Sequence, residues 1–242
     1  MLKKMLYSFV VIFIFVSLSF AGRTYVIDTP NASILNYGSY DLVFKCFSHG
    51  NITQKVDFEL FKILNIGASW ELDRLIGGKR MKVAIPAPDI KIRLYEGDMV
   101  LPGLAIGYDG QGCFIDRGNC VQRKKGLYIV MGRELFLGGL MFNIGANMYD
   151  FTKTKQVYGC FVNAIMPVYK ESIYLMAEYD NININRLPDA RLNFGFRFAA
   201  TEGVDIDFIV RDCWGKSNNT SRVPNERVFK ISYSGKFWPF CA

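Results

Sequence analysis

The residues able to do chemistry are few and scattered. Glu178 and Asp180 sit two apart, a spacing that on a strand puts two carboxyls on one face roughly 7 Å apart. Such a pair could hydrolyse a glycosidic bond if one member stayed protonated. Arg197 on the next segment favours two ionised carboxylates instead, which leaves no general acid. Ser48 precedes His49, the one histidine of the chain, and a serine activated by histidine could transfer acyl groups. Adjacent residues at a strand end point to opposite faces, so a solvated loop histidine is the simpler reading. Gly107 to Gly112 is not a phosphate loop, because its glycines alternate as strand residues do and no helix follows. The cysteines are Cys46, Cys113, Cys120, Cys160, Cys213 and Cys241, at spacings unlike those of a zinc site. No metal and no cofactor is expected. Cys113 and Cys120, which flank a short loop containing Gly118, are the candidate disulfide.

The elements that must position these residues are constrained by composition. Half of the 242 residues are hydrophobic, which excludes disorder and suffices for one domain with a full core. The 20 Phe, 13 Tyr and 22 Gly suit β-structure better than a helical bundle, in which these residues are poor formers. Setting aside Lys3 and Lys4 takes the formal charge from +7 to +5, and the remaining cations are dispersed. No nucleic-acid partner is expected, because a binding face needs clustered cations to neutralise successive phosphates.

Residues 1–21 read as a secretory signal. Lys3 and Lys4 form its positive start, Tyr7 to Phe20 its apolar stretch, and Ser19 and Ala21 are the small residues before cleavage at Gly22. About 14 apolar residues fall short of the roughly 20 that a spanning helix needs. Beyond the leader no run is long and apolar. Membrane insertion would therefore need strands, since only helices and closed barrels satisfy every backbone N–H and C=O in hydrocarbon.

Alternation with period two recurs along the chain. Leu64, Ile66, Ala68, Trp70 and Leu72 oppose Asn65, Gly67, Ser69 and Glu71; Leu192, Phe194, Phe196 and Phe198 oppose Asn193, Gly195 and Arg197; Val204, Ile206, Phe208 and Val210 oppose Asp205, Asp207 and Arg211. Twelve strands are predicted, at 38–48, 53–61, 63–76, 89–97, 100–110, 125–135, 139–151, 156–168, 172–182, 190–201, 204–214 and 226–236. Connections after even-numbered strands are short. Every long one follows an odd-numbered strand: Gly77 to Pro88, Gln111 to Lys124, Asn183 to Asp189 and Gly215 to Asn225. Short turns on one rim and long loops on the other are the pattern of outer-membrane barrels with both termini in the periplasm.

Alternation alone does not say which face looks out. A soluble sandwich or lipocalin-like barrel would bury its apolar face. Two features favour the inverted arrangement: Gly and Asn accompany the charges on the polar face, and Tyr, Phe and Trp gather near strand ends, as in the aromatic girdles of membrane proteins. The expected fold is all-β, a closed antiparallel transmembrane β-barrel of about 12 strands over residues 38–242, with Gly22 to Tyr37 a periplasmic segment before it.

The stretch Leu101-Pro-Gly-Leu-Ala-Ile-Gly-Tyr-Asp-Gly-Gln-Gly112, then Lys125-Gly-Leu-Tyr128, Ala177-Glu-Tyr-Asp180 and Leu192-Asn-Phe-Gly195, resembles the YjbH-like group of bacterial outer-membrane barrels linked to exopolysaccharide production. Thr29-Pro30 and Gly38-Ser39-Tyr40 fit the same group, and the similarity runs in order from about residue 29 to 235. The resemblance implies an outer-membrane location and a part in polysaccharide export or envelope maintenance. Its partners would be outer-membrane lipid and envelope polysaccharide or its export machinery.

On this assignment the lumen carries Lys91, Arg93, Asp109, Glu178, Asp180, Arg197, Asp205, Asp207 and Arg211, together with Asp41, Lys45 and Lys230. Opposite charges on neighbouring strands can meet across the ladder. The lumen is then either a narrow conduit whose charges select a solute or a bore packed with salt bridges, the latter being simpler for a barrel of this size. The expectation is a Gram-negative outer-membrane barrel, not an enzyme, that assists exopolysaccharide export or envelope maintenance or forms a small pore. The alternative is a barrel enzyme acting on lipid acyl groups.

Overall fold

The computed structural model describes residues 23–76, 78, 80–98, 101–110, 113–116, 119–122, 125–135, 139–149, 158–170, 172–182, 190–214 and 224–237. The leader at 1–21 lies outside these residues, as do the side chains of His49 and of 113–122.

Segments rich in β-branched and aromatic residues at period two form β1 (Ser39–Cys46), β2 (Ile52–Phe61), β3 (Leu64–Asp73), β4 (Lys82–Val83), β5 (Ala87–Tyr95), β6 (Gly103–Asp109), β7 (Cys113–Asp116) and β8 (Asn119–Gln122). They continue as β9 (Gly126–Leu135), β10 (Leu140–Met148), β11 (Tyr158–Tyr169), β12 (Ile173–Ile182), β13 (Arg191–Thr201), β14 (Val204–Arg211) and β15 (Glu226–Lys236). The ladder runs β2-β1-β15-β14-β13-β12-β11-β10-β9-β6-β5-β3, and β3 pairs back onto β2, so twelve strands close a barrel. The strands around the ring are antiparallel, and the closure leaves the ring itself without an edge.

All twelve expected strands are present, each within a few residues of its predicted bounds. The loops hold more order than the sequence showed. Strand β4 adds to β3, and β7 pairs with β8 in a separate hairpin; runs of two to four residues are too short to show a period. The strand ends joined by connections 62–63, 96–102, 136–139, 170–172 and 202–203 lie on one rim, and those joined by the longer ones, 74–86, 110–125, 149–157, 183–190 and 212–225, on the other.

The barrel is inside-out. Phe44, Phe58, Ile66, Ile90, Ile129, Ile144, Leu175, Phe194, Phe208 and Phe229 all point outward, each more than a third exposed, while Asp207 is fully buried and Glu178 and Arg197 are 1% exposed. The outer belt is knit by ring contacts, Phe196 stacking on Phe208 at 5.0 Å and Phe208 meeting Phe229 edge-on at 5.3 Å. Phe61, Tyr95, Tyr158, Tyr169 and Trp214 stand exposed at or near strand ends, where interfacial aromatics belong. No helix among the described residues could cross a membrane; this chain crosses by strands, with its apolar surface toward hydrocarbon.

Candidate functional site: the bore and its hairpin

The segment expected to lie outside the barrel, before β1, lies within it. Residues 23–37 fold back through the bore, and Thr24, Val26, Ile27, Thr29, Pro30, Asn31, Ala32, Ile34 and Leu35 are all buried. A bridge between Tyr25 and Pro30 and hydrogen bonds from the Val26 N–H to the Thr29 carbonyl and from the Asn31 N–H to the Thr24 carbonyl, each 3.1 Å, make it a β-hairpin. Asp-Thr-Pro supplies its turn chemistry, and the β-branched Val26 and Ile27 suit its first arm. Both arms leave by the short-turn rim. Arg23 donates to the carbonyl of Gly203 in the 202–203 turn (3.2 Å), and Tyr37 leads directly into β1.

The tip is held by charge and by apolar packing. Asp28 pairs with Lys45 and, at 2.6 Å, with Arg211. Burial alone would push the Asp28 carboxyl up, but Arg211 and then Lys45 outweigh it and hold the group well below the ordinary carboxylate range. One oxygen of Glu178 accepts the N–H of Asp28 (2.9 Å), the N–H of Thr29 (2.8 Å) and the Thr29 hydroxyl (2.6 Å), while its other oxygen accepts from Asn193 (2.8 Å). Val26 and Ile27 pack with Phe47, Met176, Ile209 and Val228.

Further down, Asn163 donates to Thr29 Oγ1 (2.8 Å) and to the Pro30 carbonyl (3.0 Å), and Asn143 accepts the Ala32 N–H (3.1 Å). Lys91 donates to the Thr24 carbonyl at 3.1 Å, and Arg197 and Lys230 to that of Val26 at 3.3 and 3.4 Å. At the rim Arg23 pairs with Asp41 and, through Nε, with Asp205 at 2.7 Å.

The predicted lumen residues Lys91, Asp109, Glu178, Asp180, Arg197, Asp205, Asp207 and Arg211 are all buried and face the bore. Arg93 instead stands at the short-turn rim, near Glu96 (3.4 Å) and the Lys62 carbonyl (3.1 Å). Arg197 meets Asp207, its register partner, through two bonds of 2.8 and 3.0 Å, and Lys230 reaches the same carboxylate at 2.6 Å. Arg197 and Glu178, anticipated to pair across the ladder, do not form an ion pair: Glu178 faces Asn193 and holds the hairpin, and Asp180 pairs with Lys125. The hairpin lies over Glu178, so the two carboxylates present no open cleft for a sugar.

Sequence reasoning missed Lys55, Asp57, Glu59, Asp89 and Glu226 on the wall and Arg23, Tyr25 and Asp28 in the hairpin. The alternation Lys55, Asp57, Glu59 against Val56, Phe58, Leu60 was a readable signal for three of them. Ser48 belongs to a one-turn 3-10 helix, Ser48–Gly50, on the long-loop rim. Cys113 lies opposite Gln122 and Cys120 opposite Ile115, and their expected bridge falls on side chains outside the described residues. Cys46, Cys160 and Cys213 are free thiols.

No protein-family model and no curated protein matches the chain. Among solved structures it is similar to a NanC porin at 10% identity, over 82% of this chain and 100% of that one, with a TM-score of 0.44. It is also similar to the outer membrane channel DcaP of Acinetobacter baumannii, at 7% identity over 82% and 96% of the two chains and a TM-score of 0.35. A third similarity is to OmpT, an outer membrane protein of Vibrio cholerae in its trimer form, at 8% identity over 84% and 98% and a TM-score of 0.35. The barrel stands on its own ladder of twelve paired strands.

Proposed function

We propose that the chain is exported through its leader to the outer membrane of a Gram-negative bacterium and works there as a narrow polar conduit held shut by its own N-terminal hairpin. It is not an enzyme on this reading. The observation that carries the proposal is the hairpin itself, which fills the bore largely through polar contacts that water can replace. Each neutral bond among them is worth about 0.5–1.5 kcal/mol net and each bond to a charged group about 1.5–3 kcal/mol. Because both arms leave by one rim, the hairpin can withdraw without threading the barrel. The short connections on that rim support its placement toward the periplasm. The resemblance to YjbH-like barrels supports envelope polysaccharide or its export machinery as the partner, with outer-membrane lipid around the belt.

A second reading, a permanently packed barrel that scaffolds export machinery, is favoured by the apolar cluster of Val26 and Ile27 with Met176, Ile209 and Val228. Planar-bilayer conductance separates the two. The conduit predicts a nearly silent native chain and frequent openings for Asp28→Ala, which loses the pairs to Lys45 and Arg211. Silence in both chains would favour the scaffold. Silence combined with phospholipid acyl release that His49→Ala abolishes would favour a catalytic barrel instead.

A further inference from the structure

The ladder register aligns acidic residues on one stretch of the wall. Asp41 of β1 lies opposite Asp57 of β2, Asp57 opposite Gly67 of β3, Gly67 opposite Asp89 of β5, and Asp89 opposite Asp109 of β6. Four carboxylates thus occupy one level across five adjacent strands, and like charges directly opposite destabilise a ladder unless a cation lies on them. Gly67 is part of the arrangement, since a Cβ there would overlap the Asp57 carboxylate. The wall supplies Lys55, which reaches Asp57 at 3.4 Å and also pairs with Asp89.

The hairpin supplies the rest. Arg23, which is no part of the wall, lays its guanidinium on Asp41 and Asp205, and the Tyr25 hydroxyl donates to Asp89 at 2.9 Å. A cavity of about 100 Å³ remains beside them, lined among others by Arg23, Asp41, Lys55, Asp57, Ser69 and Asp109. The Ser69 hydroxyl in its wall, 3% exposed, has no hydrogen-bond partner. Among the buried charges of the described residues, carboxylates outnumber cations whether or not Arg23 is counted.

We propose that the acidic arc Asp41–Asp57–Asp89–Asp109 is the selectivity element of the open conduit, that its solutes are cations, and that Arg23 is a tethered stand-in for the ammonium or guanidinium group of such a solute. The inference rests on the reading that the hairpin withdraws. Withdrawal removes Arg23 and Tyr25 together and leaves the arc with Lys55, so charge balance at that level must come from solution, while Asp28 leaves with the same hairpin and frees Lys45 and Arg211 nearer the long-loop rim. Rings of carboxylates select cations for this reason.

Two measurements test it. The first is the reversal potential of Asp28→Ala across a KCl gradient in planar bilayers, a change that opens the hairpin and leaves the wall untouched; Thr29→Ala is the second opener should the first fail to fold. A severalfold preference for potassium over chloride is expected, falling toward none when Asp57→Asn and Asp89→Asn are added. A reversal potential at zero, on the chloride side, or unmoved by the two asparagines would overturn the proposal while leaving the conduit intact. The second needs no current. Thermal unfolding of detergent-refolded Arg23→Ala is followed with millimolar ethylguanidinium or, as the anionic control, propionate. Recovery toward the native midpoint with the cation alone supports the site even if no chain conducts, a silence that would sink the conduit reading separately. Equal response to both ions, or to neither, overturns it.

Discussion

On β6, β9, β10 and β11 the inward positions are mostly glycine, apolar or asparagine, with Asp109 the exception, whereas on β12 to β15, β1 to β3 and β5 they are mostly charged or polar. The lean side carries Gly103, Ala105, Gly107, Val130, Gly132, Gly145 and Phe161. Two of its glycines serve as beds for rings from the facing strand, Gly107 under Tyr128 and Gly145 under Phe161. Gly132 makes room for Ala32 of the hairpin. The charged side does most of the holding, with Glu178, Lys45, Arg211, Arg197, Lys230 and Asp41 all in contact with hairpin atoms, while Asn143 and Asn163 add neutral bonds from the lean side. One wall gives clearance and the other gives grip, so the hairpin is seated sideways in the bore. Its release is therefore governed by charge and hydrogen bonding.

The largest expected effect comes from reversing inside and outside. Ile129, 46% exposed on the outer belt, changed to Arg should cost about 2–4 kcal/mol in urea unfolding from phospholipid vesicles, because the charge would enter hydrocarbon. An unchanged midpoint would mean that the belt does not face lipid. Next, Glu178→Ala removes the acceptor of three hairpin donors. Bonds to a charged group are worth about 1.5–3 kcal/mol, so hydrogen exchange at Asp28 and Thr29 should quicken by roughly tenfold to a hundredfold. Asn143→Ala on the lean side, which gives up the Ala32 N–H, should quicken exchange less, and an equal effect would break the contrast between walls.

Gly132→Ala sharpens the same contrast, since its methyl group would overlap Ala32 and Asn143. A loss of about 1 kcal/mol in hairpin docking, at the lower end of overpacking costs, is expected in the same exchange experiment. The smallest effect is that of mild acid. Asp28 has a carboxyl lowered by folding, so its contribution is complete above the unfolded value and is lost only as pH falls from there toward the folded one. The difference in open probability between Asp28→Ala and the native chain should be level between pH 7 and 5 and shrink below about pH 4. A difference that has already shrunk at pH 6 would assign the latch to another group.

Much of the barrel was legible in the sequence because its signal is local. Leu192-Asn-Phe-Gly-Phe-Arg-Phe198 states both faces of β13 within seven letters, and the rhythm of short and long connections follows from counting. Closure turned these local readings into one object, and the charged residues of those strands did face inward. The hairpin was not legible. Tyr25-Val-Ile-Asp-Thr-Pro30 is too short to show a period, and its partners lie far along the chain, Glu178 at 149 residues from Thr29 and Asp205 at 182 from Arg23. Glu178 itself was read toward Arg197 because sequence shows which charges share a face but not what enters the space between them. Asp57 and Asp89 align only through Gly67, a register relation that three separate segments do not disclose.

The most direct test of the shut bore joins hairpin to wall. Thr29 Oγ1 and Asn163 Nδ2 are 2.8 Å apart, so a short bis-methanethiosulfonate should join Thr29→Cys to Asn163→Cys through a reducible bridge, in a chain whose six native cysteines are changed to serine and which carries Asp28→Ala. Silence in planar bilayers is expected while this bridge is intact, and openings once it is reduced. Equal conductance in the two states, with the bridge confirmed by mass, would contradict the shut bore.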